Sequence, residues 1–93
     1  MRNYEIMCVF RPEDEVFNRG RDMVRSELGK LKASVAKEDD MGHRTLAYPI
    51  KDVHQGHYFL FIAEMAPETV ADVESALRHK DDLLRFMVVR QEA

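Results

Sequence analysis

Six stretches follow one another along these 93 residues in the order strand, helix, strand, strand, helix, strand, and that order leaves few folds open. The first, YEIMCVF at residues 4–10, is rich in strand formers, with Tyr4, Ile6, Cys8 and Phe10 on one side of the pleat and Glu5, Met7 and Val9 on the other. Arg11-Pro12 stops it, because proline has no N–H to give a ladder and sits well at a helix start. Glu13 to Glu15 suit the positive end of a helix, and Val16, Phe17, Met23, Val24, Leu28 and Leu31 then recur every three or four residues as its apolar stripe. Gly20 falls on that stripe, which permits close packing at a cost of about 1 kcal/mol in helix propensity.

After a turn over 29–34, Val35 to Glu38 begins an extended segment that resumes, past Asp39 to Gly42, at Arg44 to Lys51. KDVHQG is read as a turn and Tyr58 to Met65 as the next strand. Ala66-Pro67-Glu68 opens a second helix with Val70, Val73 and Leu77 on one face and Arg78, His79 and Lys80 at the end where cations suit the dipole. Asp81 and Asp82 mark a loop, and LRFMVVR is the last strand. The economical packing is an α+β, ferredoxin-like domain over residues 1–93, with two helices on one face of a four-stranded antiparallel sheet. The first and last strands are then neighbours, the third is central and the second is an edge, where Pro49 is tolerated.

Facing residues follow from parity. With Ile6, Cys8, Phe59, Phe61, Phe86 and Val88 toward the helices, Met7, Val9, Leu60, Ile62, Met87 and Val89 occupy the other face as an apolar patch, the expected surface for a protein partner. The faces of Leu46, Tyr48 and Ile50 are left open by the sequence. At 45% hydrophobic and 33% charged residues, the chain is neither disordered nor membrane-bound in composition. No apolar run approaches the roughly 18–20 residues of a membrane span, and the opening residues lack a signal peptide's apolar stretch, so a cytosolic chain is expected. Cys8 lies in an apolar run with no histidine or basic neighbour, the setting of an inert buried thiol.

The net charge of −3 hides an uneven distribution. Eight of the seventeen acids lie between Glu13 and Asp40, whereas 43–57 carries Arg44 and Lys51 against Asp52 alone, and Arg78, Lys80, Arg85 and Arg90 outnumber Asp81 and Asp82. A phosphate backbone feels such a local field rather than the total. Enzyme chemistries find little support. His54 and His57, even with His43, lack a further ligand at metal-site spacing and are expected to be solvated or hydrogen-bonded. FRPEDE has no glycine for an anion loop and several acids that repel phosphate. Base stacking on the open face is disfavoured, since it offers only Tyr58 among aliphatic residues.

MRNYEI, GHRTLAYPIKDVHQGHYFLF and LRHKDDLLRFMVVR together resemble the bacterial small-subunit ribosomal protein S6 family through almost the whole chain. The most specific part is Gly42, Arg44, Leu46-Ala47-Tyr48-Pro49-Ile50 and His57-Tyr58, with Arg2, Tyr4, Glu5, Arg78, Asp81, Arg85, Met87 and Val88 in register. The resemblance implies a structural protein that binds the central domain of small-subunit ribosomal RNA together with ribosomal protein S18, with no enzyme activity, cofactor, metal, membrane or small-molecule substrate. It implies RNA or partner contacts at Arg2, Arg44, Lys51, Arg78, Lys80, Arg85 and Arg90. Asn3, where a basic residue is common, and Lys51-Asp52, which shifts the basic hairpin position, depart from the pattern, and the acidic C-terminal extension of some members is not expected here. The alternative is a module that pairs its open face with a second copy of itself.

Overall fold

In a computed structural model, which describes residues 1–91, the elements are β1 (Arg2–Phe10), α1 (Asp14–Lys30), β2 (Ser34–Ile50), β3 (Val53–Met65), α2 (Thr69–Leu77) and β4 (Leu83–Arg90). The four strands form one antiparallel sheet in the order β2-β3-β1-β4, the ferredoxin-like arrangement, with β3 and β1 central and β2 on an edge. The core lies between the sheet and the helices. Ile6, Cys8, Phe59, Phe61 and Ala63 meet Phe17, Val24 and Leu28 of α1 and Val73 and Leu77 of α2, and Phe86 and Val88 pack against this cluster from its margin. Burial pushes the Cys8 thiol up to about 12, so it stays protonated and unreactive near neutral pH.

The α1 stripe reaches the sheet most closely at Gly20. A Cβ there would come within 2.7 Å of the Phe10 ring, which is itself fully buried, so the glycine is what lets the helix settle on the strand. At the far end of α1 the left-handed residue is Lys32 rather than Gly29, and Ala33 donates its N–H to the Leu28 carbonyl to close the helix.

The sequence reading divides the second strand in two, whereas the structure runs it unbroken for 17 residues. Its alternation is interrupted because the pairing with β3 shifts register near Ala36 and Met41 and again between Thr45 and Ile50. Over that last gap β3 advances only from Gln55 to Val53, so Leu46 to Pro49 bow out of the ladder. Pro49 therefore sits where no donor is required. The hairpin then closes through Lys51 and Asp52, both in the left-handed region at φ 51° and 63°, the geometry of a type I′ turn. Most of the segment read as a turn, from Val53 onward, belongs to β3.

The bowed segment has a structural use. Gly56 of β3 lies opposite Arg44, and a Cβ on it would overlap Cγ1 of Val9 and press on Cδ2 of Leu46. Val9 of β1 and Leu46 of β2 thus meet over the gap that the missing side chain leaves, and Leu46 lies toward the sheet face away from the helices. Gly56→Ala is expected to cost about 1–3 kcal/mol through overpacking. Combining it with Val9→Ala should recover part of that loss, a non-additivity that urea denaturation of the two single variants and the double variant measures directly.

Candidate RNA and partner interface

Apart from Lys32 and Lys37, which are exposed and form no ion pair among the described residues, the chain's cations fall into two groups. On α1 they are consumed internally. Arg25 makes a two-pronged pair with Glu38 of β2 at 2.6 and 2.8 Å, Arg19 makes another with Asp82 before β4 at 2.8 and 2.9 Å, and Arg21 and Lys30 contact Asp22 and Glu27. These pairs anchor β2 and the α2–β4 loop to the helix, and the loop is further held by Arg11, which donates to the Asp81 and Asp82 carbonyls.

In the second group are Arg2, Arg44, Lys51, Arg78, Lys80, Arg85 and Arg90. Among the described residues none of these seven forms an ion pair with a carboxylate. Six are exposed and Lys80 is half-buried. The structure does not gather them at one place. Lys51 at the hairpin turn, Arg78 and Lys80 after α2, and Arg44 and Arg85 on the strands lie toward the end of the sheet where β1 finishes. Arg2 and Arg90 lie at the opposite end, beside Met65 and Tyr4. The five residue steps from Val9, opposite Arg85, to Tyr4, opposite Arg90, separate the two ends by roughly 17 Å at about 3.3–3.4 Å per residue.

The sheet face away from the helices is uncovered. Met7, Leu60 and Met87 form one row across β1, β3 and β4, and Glu5, Ile62 and Val89 form the next. Met87 and Val89 are 56% and 44% exposed, while Met7, Leu60 and Ile62 are half-buried by their neighbours. Val9 departs from the expectation. It points to the same face but is only 3% exposed, because it fills the space over Gly56 beneath Leu46, so it supports the surface without presenting one. Beside it, Met7, Val9, Tyr58, Arg85, Phe86 and Met87 line a shallow depression, and the Arg44 guanidinium lies 5.7 Å from the Tyr58 ring centroid.

Of the three hairpin histidines, His57 departs from the reading as a tip residue. His57 faces the helices, is buried, and stacks on Phe17 with centroids 3.5 Å apart. Its Nε2–H donates to the Asp40 carboxylate at 2.6 Å, and the same oxygen accepts the Gly42 N–H at 2.9 Å, fixing the β2 irregularity at Met41. His43 lies against His57 yet remains exposed, as does His54 near the turn. Among the described residues no three His, Cys, Asp or Glu side chains converge as a metal site would need. Neither this tie nor the covering role of Leu46 was anticipated. Gly56, read as part of the turn, becomes a signal only once β3 is seen to run from Val53, since a glycine interior to a strand marks close approach of another group.

Three carboxyls are held below their ordinary range, chiefly by hydrogen bonds: Glu38 by Arg25, Asp82 by Arg19 and Asp40 by His57. A carboxyl with a lowered folded-state pKa contributes stability above its unfolded value, and that contribution fades as pH falls through the folded value. The urea midpoint is therefore expected to fall below about pH 4, near the unfolded carboxyl range, with Arg25→Gln showing a smaller acid loss than the parent.

Fold and surface together define a class of protein: a ferredoxin-like α+β domain with one sheet face packed, the other open, and cations around it that have no ion pair among the described residues. The family model for ribosomal protein S6 matches residues 3–90. Small ribosomal subunit protein bS6 from the Nichols strain of Treponema pallidum is 40% identical over 93 residues, covering all of both chains, and its counterpart from a second strain, of Treponema pallidum subsp. pallidum, gives the same figures. The chain belongs to the ribosomal protein S6 family. Among solved structures, 30S ribosomal protein S6 from Thermotoga maritima superimposes with a TM-score of 0.87 at 24% identity, over 97% of this chain and 87% of that one. The C-terminal domain of the MgtC protein from Mycobacterium tuberculosis, at 8% identity and a TM-score of 0.66 over 99% and 89% of the two chains, shares the fold alone.

Proposed function

We propose that this chain acts as one domain over residues 1–93, as a structural component of the small ribosomal subunit, and binds the central domain of small-subunit ribosomal RNA together with ribosomal protein S18. Its place is then the ribosome in the cytoplasm, and it catalyses no reaction and uses no cofactor. Family membership supports the ribosomal role. The observation that supports RNA binding is the division of the cations: those on α1 are neutralised by the fold, while the seven named above, like Lys32 and Lys37, have no ion pair among the described residues and are left for an external anion. Lys51, Arg78 and Lys80, clear of the open face, supply the main phosphate contacts, and Arg2 and Arg90 extend them at the far end. Arg44 and Arg85 stand where this cationic rim meets the partner face, which Met7, Leu60, Ile62, Met87 and Val89 present to S18.

Phosphate contacts of this kind release counterions, with a slope of roughly −0.9 in log K against log salt per contact on duplex. Arg78→Ala is expected to weaken binding to a central-domain rRNA fragment and to flatten that slope by about one contact. Filter binding over a potassium chloride series measures it. An unchanged slope for Arg78→Ala, Lys80→Ala and Lys51→Ala alike would remove these residues from the interface, and failure of the chain to co-purify with small subunits would remove the proposed function itself.

A further inference from the structure

We infer that the open sheet face reads polarity as well as shape: its occupant is an amphipathic segment of S18 that lays apolar side chains over Leu60, Met7 and Met87, a carboxylate over Arg44 and Arg85, and a basic group over Glu5 and Glu64. The inference rests on the open face being the S18 surface and adds the chemistry and direction of what lies on it.

The cross-strand register fixes the layout. Nearest the hairpin turn, Arg44 of β2 faces Gly56, and Arg85 of β4 faces Val9, which in turn faces Tyr58. The middle row is Leu60, Met7 and Met87. Toward the other end Glu5 stands between Ile62 and Val89, and Glu64 lies opposite Asn3. The face thus carries cations at one end, aliphatic side chains in the middle and carboxylates at the other. Two exceptions, Asp39 opposite Leu60 and Lys37 opposite Ile62, stand on the outer edge strand β2.

None of Arg44, Arg85, Glu5 and Glu64 has an ion-pair partner among the described residues, so each keeps its charge for whatever covers it. Arg44 is further directed across the face by its position over Tyr58, and Arg85 forms one wall of the depression beside Val9 and Met87. From Arg85 at the level of Val9 to Glu5 is four residues, roughly 13 Å at about 3.3 Å per residue. A helix covers that span in roughly nine residues at 1.5 Å each, and an extended segment in about four.

A group covered by a partner loses hydration, which a counter-charge must replace. An occupant of one sign fails at one pole: a basic segment meets Arg44 and Arg85, and a phosphate backbone meets Glu5 and Glu64. RNA also gains nothing from the aliphatic middle. A protein segment with opposite charges at its two ends satisfies all three zones.

Two charge reversals test this, with purified S18 as the probe in titration calorimetry and thermal melts to establish that each variant is folded. Arg85→Glu and Glu5→Lys are both expected to weaken S18 binding by about ten-fold or more, since each sets like charges against one another. If one reversal weakens binding and the other strengthens it, attraction depends only on net charge and the polarity inference is overturned. It is equally overturned if neither matters while Leu60→Glu abolishes binding, which keeps S18 on this face without a role for the poles. If Leu60→Glu binds S18 as the parent does, the face is not the S18 surface and the underlying reading falls with the inference. If Arg85→Glu leaves S18 binding intact but weakens binding of the rRNA fragment alone, these cations serve RNA and the inference fails. Should either reversal unfold the chain, Arg85→Ala and Glu5→Gln replace them, with the same direction expected and a smaller effect.

Discussion

Leu60→Glu is expected to fold and to lose S18-dependent binding of ribosomal RNA, whereas Phe61→Glu one residue away is expected not to fold. The two side chains leave opposite faces of the same central strand. Phe61 is fully buried between Ile6 and Glu38 in the ladder and beneath the helices. A carboxylate there loses its water without a partner, costing several kcal/mol against a total stability of about 5–15. Leu60 opens to solvent between Met7 and Asp39, so a carboxylate in its place stays hydrated. Its cost is limited to lost apolar contact and repulsion from Asp39, about 1 kcal/mol together, or roughly 4–8 °C in Tm for a domain of this size. Leu60→Lys separates these effects. It places a cation opposite Asp39, so it should melt closer to the parent than Leu60→Glu while still losing the partner. Circular dichroism melts and RNA binding with and without S18 decide the matter. A Leu60→Glu protein that melts as low as Phe61→Glu would mean that the open face is packed in solution.

The parts of this molecule that could be read from the sequence are those fixed by local periodicity. Parity within YEIMCVF separates Ile6 and Cys8 from Met7, and the 3–4 spacing in α1 assigns Phe17, Val24 and Leu28 to the core, because each depends on only a few consecutive residues. The features that escaped depend on partners distant in the chain. β2 looked like two short segments because its bulges break alternation, and those bulges exist only in register with β3. Val9 has the parity of an open-face residue, and its burial requires Gly56 and Leu46 to arrive beside it from two other strands. The seven cations are nameable through the family resemblance, but their lack of an ion pair among the described residues is visible only in the structure, where Arg19 and Arg25 take Asp82 and Glu38. Charge along the open face is of the same kind: Arg44, Glu5, Glu64 and Arg85 come from four strands, and no single stretch shows that they form two poles.

His57 is the clearest case of context overriding composition, and replacing it should have a large effect. His57→Ala is expected to destabilise the fold by about 2–3 kcal/mol, from the loss of the ring stacked on Phe17, the cavity left beneath α1 and the broken tie to Asp40. For a domain of this size that is a fall in Tm of roughly 10–20 °C. His57→Phe divides the loss. A phenyl ring keeps the stack on Phe17 and removes the buried Nδ1, which has no hydrogen-bond partner among the described residues, at the expense only of the bond to Asp40. That carboxylate is half exposed, retains the Gly42 N–H and is readily hydrated, so His57→Phe should lie within about 1 kcal/mol of the parent. Equal losses for the two variants would transfer the role from the ring to the hydrogen bond, making the Asp40 tie the element that holds β2 against β3. A loss below about 1 kcal/mol for His57→Ala would mean that Phe17 and α1 close over the gap, since the cost of a cavity depends on how far its walls can collapse. The ordering expected from the geometry, with Ala far below Phe and Phe near the parent, makes His57 chiefly a core aromatic whose polar edge happens to reach a carboxylate on the neighbouring strand.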